Sequence, residues 1–215
     1  MLLVVAATEL EMSPVRRIFA DNKDWQPLVT GVGCLETAAV LGDYLRTPQG
    51  AAITMVINFG VAGAFLDTGV GLLDICLAER ETLADLGVCL GDEILPLSGL
   101  APQAELPLHE DLLRQAESAL LQAAIPYFKG TFATVNSVSG TAARGNFLRD
   151  RVGGICENME GAAVARICLD FSLPCLELRC VSNMVEDRNT ARWQLDDAIA
   201  KGAEALAALQ FCFLR

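Results

Sequence analysis

What most constrains this chain is a rhythm. Short, continuous apolar runs alternate with amphipathic helical patterns from one end to the other. LLVVAA (residues 2–7) reads as a buried strand, and TELEMSPVRRIFA opens a helix. Further strands are expected near 26–30, 53–57, 72–78, 132–138, 155–156 and 175–181. Helices are expected over 35–45, 110–124, 141–150, 160–170 and 195–213, the 110–124 helix turning Leu112, Leu113, Ala116, Ala119, Leu120 and Ala123 to one face. Residues 84–108, rich in Gly, Pro and Ser, read as a long excursion, and a glycine-rich turn is expected after Asn58. Unbroken apolar strands separated by helices predict a single α/β domain with a mostly parallel sheet. In open sheets of that kind ligands gather at the carboxyl ends of strands.

Composition narrows the function. With 16 Lys and Arg against 27 Asp and Glu the 215 residues carry a formal charge of −11, so nucleic acid is not an expected partner. The chain is 53% apolar before any of its 18 Gly are counted, against about 45–50% with glycine included in soluble domains. That surplus predicts extra buried surface, as in a homo-oligomer. The first residues lack the basic region of a signal peptide. The longest charge-free stretch, residues 47–66, is broken by Pro48, Gly50, Asn58, Gly60 and Gly63, so no membrane span is expected. Eight scattered cysteines (Cys34, Cys76, Cys89, Cys156, Cys168, Cys175, Cys180, Cys212) read as small core hydrophobes of a reducing cytoplasm. One histidine, His109, excludes any site needing two His ligands and reads as a solvated helix-start residue. No metal or other cofactor is implied. Chemistry must rest on carboxylates, amides and backbone groups.

The predicted strand ends supply those groups. TGVGCLE lacks the last glycine of a dinucleotide fingerprint and reads as a tight turn. NFGVAGA offers small residues (Gly60, Ala62, Gly63, beside Val61) past which a flat ring or sugar could approach the backbone. Glu11, just after the first strand, is either a general base in a partly enclosed site or an acid favoured by the helix N-terminus. Glu160 starts an apolar helix; it is either a capping acid or a carboxylate that accepts from two adjacent hydroxyls, with Met159 covering a sugar face. Asn183 is either a loop residue or an amide that both donates to and accepts from a ring.

Glu11, TGVG, INFGVAGA, NMEGAA and RCVSN occur in an order that resembles the purine nucleosidase and phosphorylase superfamily, over residues 1 to about 200. The nearest branch is that of the methylthioadenosine/S-adenosylhomocysteine nucleosidases. The resemblance implies a three-layer α/β/α fold with a central mixed, mostly parallel sheet, and a homo-oligomer, often a dimer, with sites near the subunit interface. It implies that Glu11 activates water, that Glu160 and Met159 hold the ribose, and that Val61, Ala62 and Gly63 flank the sugar and base. Val138 would lie in the purine loop, where Ser137 replaces the usual stacking Phe. At position 183 the adenosine-type enzymes carry Asp; Asn183 fits a 6-oxopurine leaving group. With the tail SNMVEDRNTARWQLDDAI, this also resembles the futalosine hydrolases, which release hypoxanthine in menaquinone biosynthesis. Arg144, Arg188 and Arg192 are candidates to meet the substrate's aromatic carboxylate. A methylthioadenosine-type nucleosidase, a 6-oxopurine phosphorylase and a non-catalytic nucleoside-binding protein remain alternatives.

Overall fold

The computed structural model describes residues 1–90, 93–97, 99 and 103–213, and only the backbone of Phe211 and Cys212. The first strand, β1 (Leu2–Ala6), is buried on both faces and alternates strictly. Leu2, Val4 and Ala6 join one apolar cluster, and Leu3 and Val5 join another on the opposite side. On the first side lie α1 (Glu9–Ile18), α3 (Glu110–Gln122) and α6 (Leu195–Phe213). On the second lie α2 (Cys34–Leu45) and α5 (Gly161–Asp170). A smaller cluster around Phe65, Leu148 and Val185 seats α4 (Ala142–Val152). The expected α/β domain with a mixed central sheet between helices is therefore present.

The sheet adds a feature that periodicity does not reveal. Its path runs β10 (Cys175–Val185), β4 (Ile75–Leu83), β8 (Tyr127–Thr134), β9 (Gly154–Asn158), β3 (Met55–Phe65), β1, β2 (Trp25–Val29), with β7 (Glu105–Pro107) on β4. Strand β10 also pairs in parallel with β3, so five strands close on themselves. β1 and β2 extend from the ring in parallel.

Several expected bounds shift. NFGVAGA is no turn: it is the second half of the eleven-residue β3. β10 likewise continues past residue 181 to Val185, because β3 pairs with it on both sides of a bulge at Ser182. The expected 72–78 strand begins at Ile75, Leu73 having a φ of 64°, and runs to Leu83. The expected 132–138 strand runs Tyr127–Thr134, which leaves Asn136 to Ser139 as a loop above the sheet. The excursion holds β7 and a hairpin of β5 (Val88–Leu90) with β6 (Glu93–Leu95), along with residues that lie outside those described. Ala123 is exposed, just past the end of α3. Five of the cysteines are core residues as expected, Cys34 is half-buried and Cys89 is exposed; the Cys212 side chain is not among the described ones.

Candidate active site

The carboxyl ends of β1, β3 and β10, with the loop after β9, frame a cavity of about 350 Å³, within the range for small-molecule sites. All eight residues singled out in the sequence line it: Glu11, Val61, Ala62, Gly63, Val138, Met159, Glu160 and Asn183.

Glu11 is positioned by helix chemistry. Thr8 caps α1, accepting from the Glu11 amide, while Glu11 Oε2 accepts from the Thr8 amide (3.0 Å) and the Thr8 hydroxyl (2.7 Å). This reciprocal cap fixes the side chain and aims Oε1 at β3, where the Val61 amide donates to it at 3.2 Å. The two readings of Glu11 thus coincide: the capping acid is also a wall of the cavity, and it is 5% exposed.

Glu160 occupies the cap position of α5 without capping it through its side chain. Its Oε1 accepts from the Gly33 amide at 3.0 Å, and its Oε2 lies 3.5 Å from Arg179 Nη1. The TGVG segment does form a tight turn, with Gly31 at φ 87° and Gly33 at φ 93°, and the turn's last amide holds this carboxylate. Below it, Asn158 Oδ1 accepts from the Glu160 and Gly161 amides, which satisfies the start of α5.

Arg179, which the sequence reading missed, braces Glu160. It is 2% exposed and lies 2.8 Å from Glu177, with Nη1 reaching the Val61 carbonyl and Glu160. Burial alone would lower its affinity for a proton; Glu177, then Glu160 and Glu11, outweigh that and hold the guanidinium above its ordinary value. The available signal was the pattern LELR inside an apolar strand, which places two opposite charges on one strand face. Gly60 makes room for this arrangement: a Cβ there would stand 2.6 Å from Arg179 Nη1 and 2.7 Å from Glu11 Oε1.

At the other end, Asn183 Oδ1 accepts from the Ser182 hydroxyl at 2.9 Å and its Nδ2 donates to the Met184 carbonyl at 3.3 Å. One N–H and one oxygen lone pair remain available. Glu157, also missed, sits across Gly63 from Asn183 in the strand register. Both its oxygens are held by Ser139, by the amide at 2.8 Å and the hydroxyl at 2.7 Å. Burial raises the Glu157 carboxyl above the usual range, and those Ser139 bonds oppose the rise. Val138 is exposed at the rim, and Ser137 does not line the cavity.

Behind the cavity Glu81 and Glu177 form a buried acidic pair. Glu81 accepts from Thr134 and Asn158, both at 2.6 Å. Burial, then the neighbouring Glu177, pushes its carboxyl well above the ordinary range. His109 lies elsewhere, capping α3 by accepting from the Leu112 amide. Of the three surface arginines, Arg144 lies 4.0 Å from Asp85 and Arg192 lies 3.0 Å from Glu186, whereas Arg188 stacks on Trp193 and lines the cavity.

The sequence pattern of the phosphorylase superfamily matches residues 28–214. The chain belongs to that superfamily. Among its phosphorylase superfamily relatives, the futalosine hydrolase of Streptomyces coelicolor is 36% identical over 86% of this chain and 78% of its own length. The futalosine hydrolase of Thermus thermophilus is 33% identical over 85% and 79%. In structure, the native futalosine hydrolase of Helicobacter pylori superposes with a TM-score of 0.86, covering 99% of this chain and 97% of that one at 20% identity, a likeness of fold.

Proposed function

We propose that this phosphorylase superfamily member is a hydrolase of the N-ribosidic bond of futalosine, releasing hypoxanthine. The reading rests above all on one juxtaposition: the Asn183 amide shares a cavity with two carboxylates, Glu11 and Glu160, that are each already fixed by backbone donors. Relatives of that name across most of the chain support it.

The chemistry follows from the acceptors left open. N-glycosidic cleavage passes through an oxocarbenium-like state, as in glycosidases, which two nearby carboxylates stabilise. Glu11 Oε1, with one lone pair committed to Val61, takes a proton from the attacking water. Glu160, braced by Gly33 and Arg179, accepts from the ribose hydroxyls, and Met159 packs on the sugar. Val61, Ala62 and Gly63 let the ring approach the backbone, and Val138 closes over the base. Asn183 donates its free N–H to the 6-carbonyl and accepts from N7–H, the proton there being taken from solvent and balanced by the one that Glu11 removes from the attacking water, which eases departure of hypoxanthine. A phosphorolytic route would need strong donors at the first glycine-rich loop; there the cavity presents Glu11 and the Thr8 cap, and Arg179 is committed to Glu177 and Glu160. We place the enzyme in menaquinone biosynthesis, in the cytoplasm, acting as a homo-oligomer without metal or other cofactor. Exposed Leu10, Val32 and Leu35, around the cavity mouth and the start of α2, support self-association.

The test is chromatographic. Purified protein should release hypoxanthine from futalosine at a rate unchanged by phosphate, and Glu11→Gln should lose about 10²-fold or more in kcat. Adenine released preferentially from methylthioadenosine would transfer the reading to the methylthioadenosine nucleosidases. Ribose 1-phosphate formed only with phosphate would make it a phosphorylase.

A further inference from the structure

We infer that Glu157 is a specificity residue of this site: its carboxylate accepts from the N1–H of a 6-oxopurine, so that it and Asn183 read neighbouring positions on one edge of the base. The inference rests on the reading of a purine at the Asn183 end of the cavity. It adds a second contact to the base, made by a pure acceptor. Three of the described residues lining the cavity are carboxylates: Glu11, Glu157 and Glu160. Glu11 is held by the Val61 amide and Glu160 by Arg179; Glu157 stands apart from them, beside Asn183.

The strands put it there. Gly63 of β3 pairs with Asn183 of β10 on one side and with Glu157 of β9 on the other. A Cβ on Gly63 would stand 3.0 Å from Asn183 Nδ2 and 3.6 Å from Glu157 Cγ. Both side chains therefore lean, from opposite sides, over the one residue that has no side chain of its own.

Glu157 also has acceptors to spare. Its Oε1 accepts from the Ser139 amide at 2.8 Å and its Oε2 from the Ser139 hydroxyl at 2.7 Å. Burial raises the carboxyl, and the Ser139 bonds and then the charge of Arg144 pull it back; a donor on each oxygen suits the ionised form. Arg144 lies 4.0 Å from Asp85, and among the described residues Glu157 has no ion-pair partner. A carboxylate has about four lone-pair sites, so each oxygen keeps one open, in a direction that Ser139 fixes.

The base supplies the complement. A 6-oxopurine carries a proton on N1 and an acceptor at O6, with N1 and N7 on opposite sides of O6. A 6-aminopurine reverses both: its amino group donates and its N1 is a bare acceptor. With Asn183 on O6 and N7, the next group along the edge faces N1. A carboxylate there accepts from the N1–H of a 6-oxopurine, but sets lone pair against lone pair in a 6-aminopurine. A site built this way rejects the analogue that lacks the donor, because its own buried acceptor is left unpaired.

Calorimetric titration of wild type and Glu157→Gln with hypoxanthine, 1-methylhypoxanthine and adenine tests this. Wild type should bind hypoxanthine about 10-fold or more tighter than either other base. Glu157→Gln, which removes the charge from the acceptor, should weaken hypoxanthine about 10-fold, leave adenine nearly unchanged and shrink the penalty of the N1-methyl group. Equal weakening of hypoxanthine and adenine, or a methyl penalty undiminished in the variant, would make Glu157 only an anchor for Ser139 and overturn the inference. So would a wild type indifferent to the N1 proton, a result that needs no variant to fold. Wild type that shows the selectivity yet cleaves no nucleoside removes the hydrolase reading and leaves the inference standing. Wild type that cleaves futalosine without the selectivity does the reverse.

Discussion

At the scale of single residues, the site works by leaving a controlled number of acceptors open. Glu11 and Glu160 each spend lone pairs on the backbone or on Arg179, so what remains points into the cavity. Asn183 has the same economy, with one donor and one acceptor unspent. Replacing Asn183 by Asp removes the donor to a 6-carbonyl and supplies an acceptor for a 6-amino group. The Asn183→Asp ratio of kcat/KM for 6-aminopurine over 6-oxopurine nucleosides should therefore rise by about 10-fold or more. An unchanged ratio, measured on inosine and adenosine, would remove the amide from the specificity argument. These three polar residues were legible in the sequence because each sits where a predicted strand ends. Arg179 was not, since only the register of β10 against β3 brings it to Glu160.

Among the elements, β3 departs furthest from what local sequence implies. Glycines and alanines in NFGVAGA mimic a turn, yet their smallness serves side chains from other strands rather than their own backbone. That purpose is invisible until α1 and β10 are placed beside it. The boundaries of β1, α2 and α6, by contrast, follow from their own residues, through unbroken apolar runs and helical periodicity. Gly60→Ala tests the point. Its methyl would intrude on Arg179 and Glu11 together, at a cost of about 1–3 kcal/mol in stability and about 10²-fold in kcat from misplacing Glu11, the proposed base, by up to an ångström. Urea unfolding and initial rates read the two effects separately; full activity in a folded variant would show that β3 has slack.

For the whole molecule, the buried pair Glu81–Glu177 couples the fold to pH. Burial, then its neighbour Glu177, raises the Glu81 carboxyl, so its folded value lies above the 4.5 of the unfolded chain. The native state then binds more protons than the unfolded one across that interval, and stability falls as pH rises through it. Glu157, raised in the same direction, adds to the trend. Glu81→Gln keeps the shape without the proton and should flatten the decline that sets in as pH rises above 4.5, by up to about 1.4 kcal/mol per pH unit. Denaturant midpoints across that range provide the measurement, and an equally steep or steeper decline in the variant would contradict it. The bond from Gly33 to Glu160 ties residues 127 positions apart, and the one from Val61 to Glu11 ties residues 50 apart. The reaction centre therefore has no local precursor. An unfolded chain carries every reactive group and no catalyst, and turnover reports that segments far apart in the polypeptide have come together.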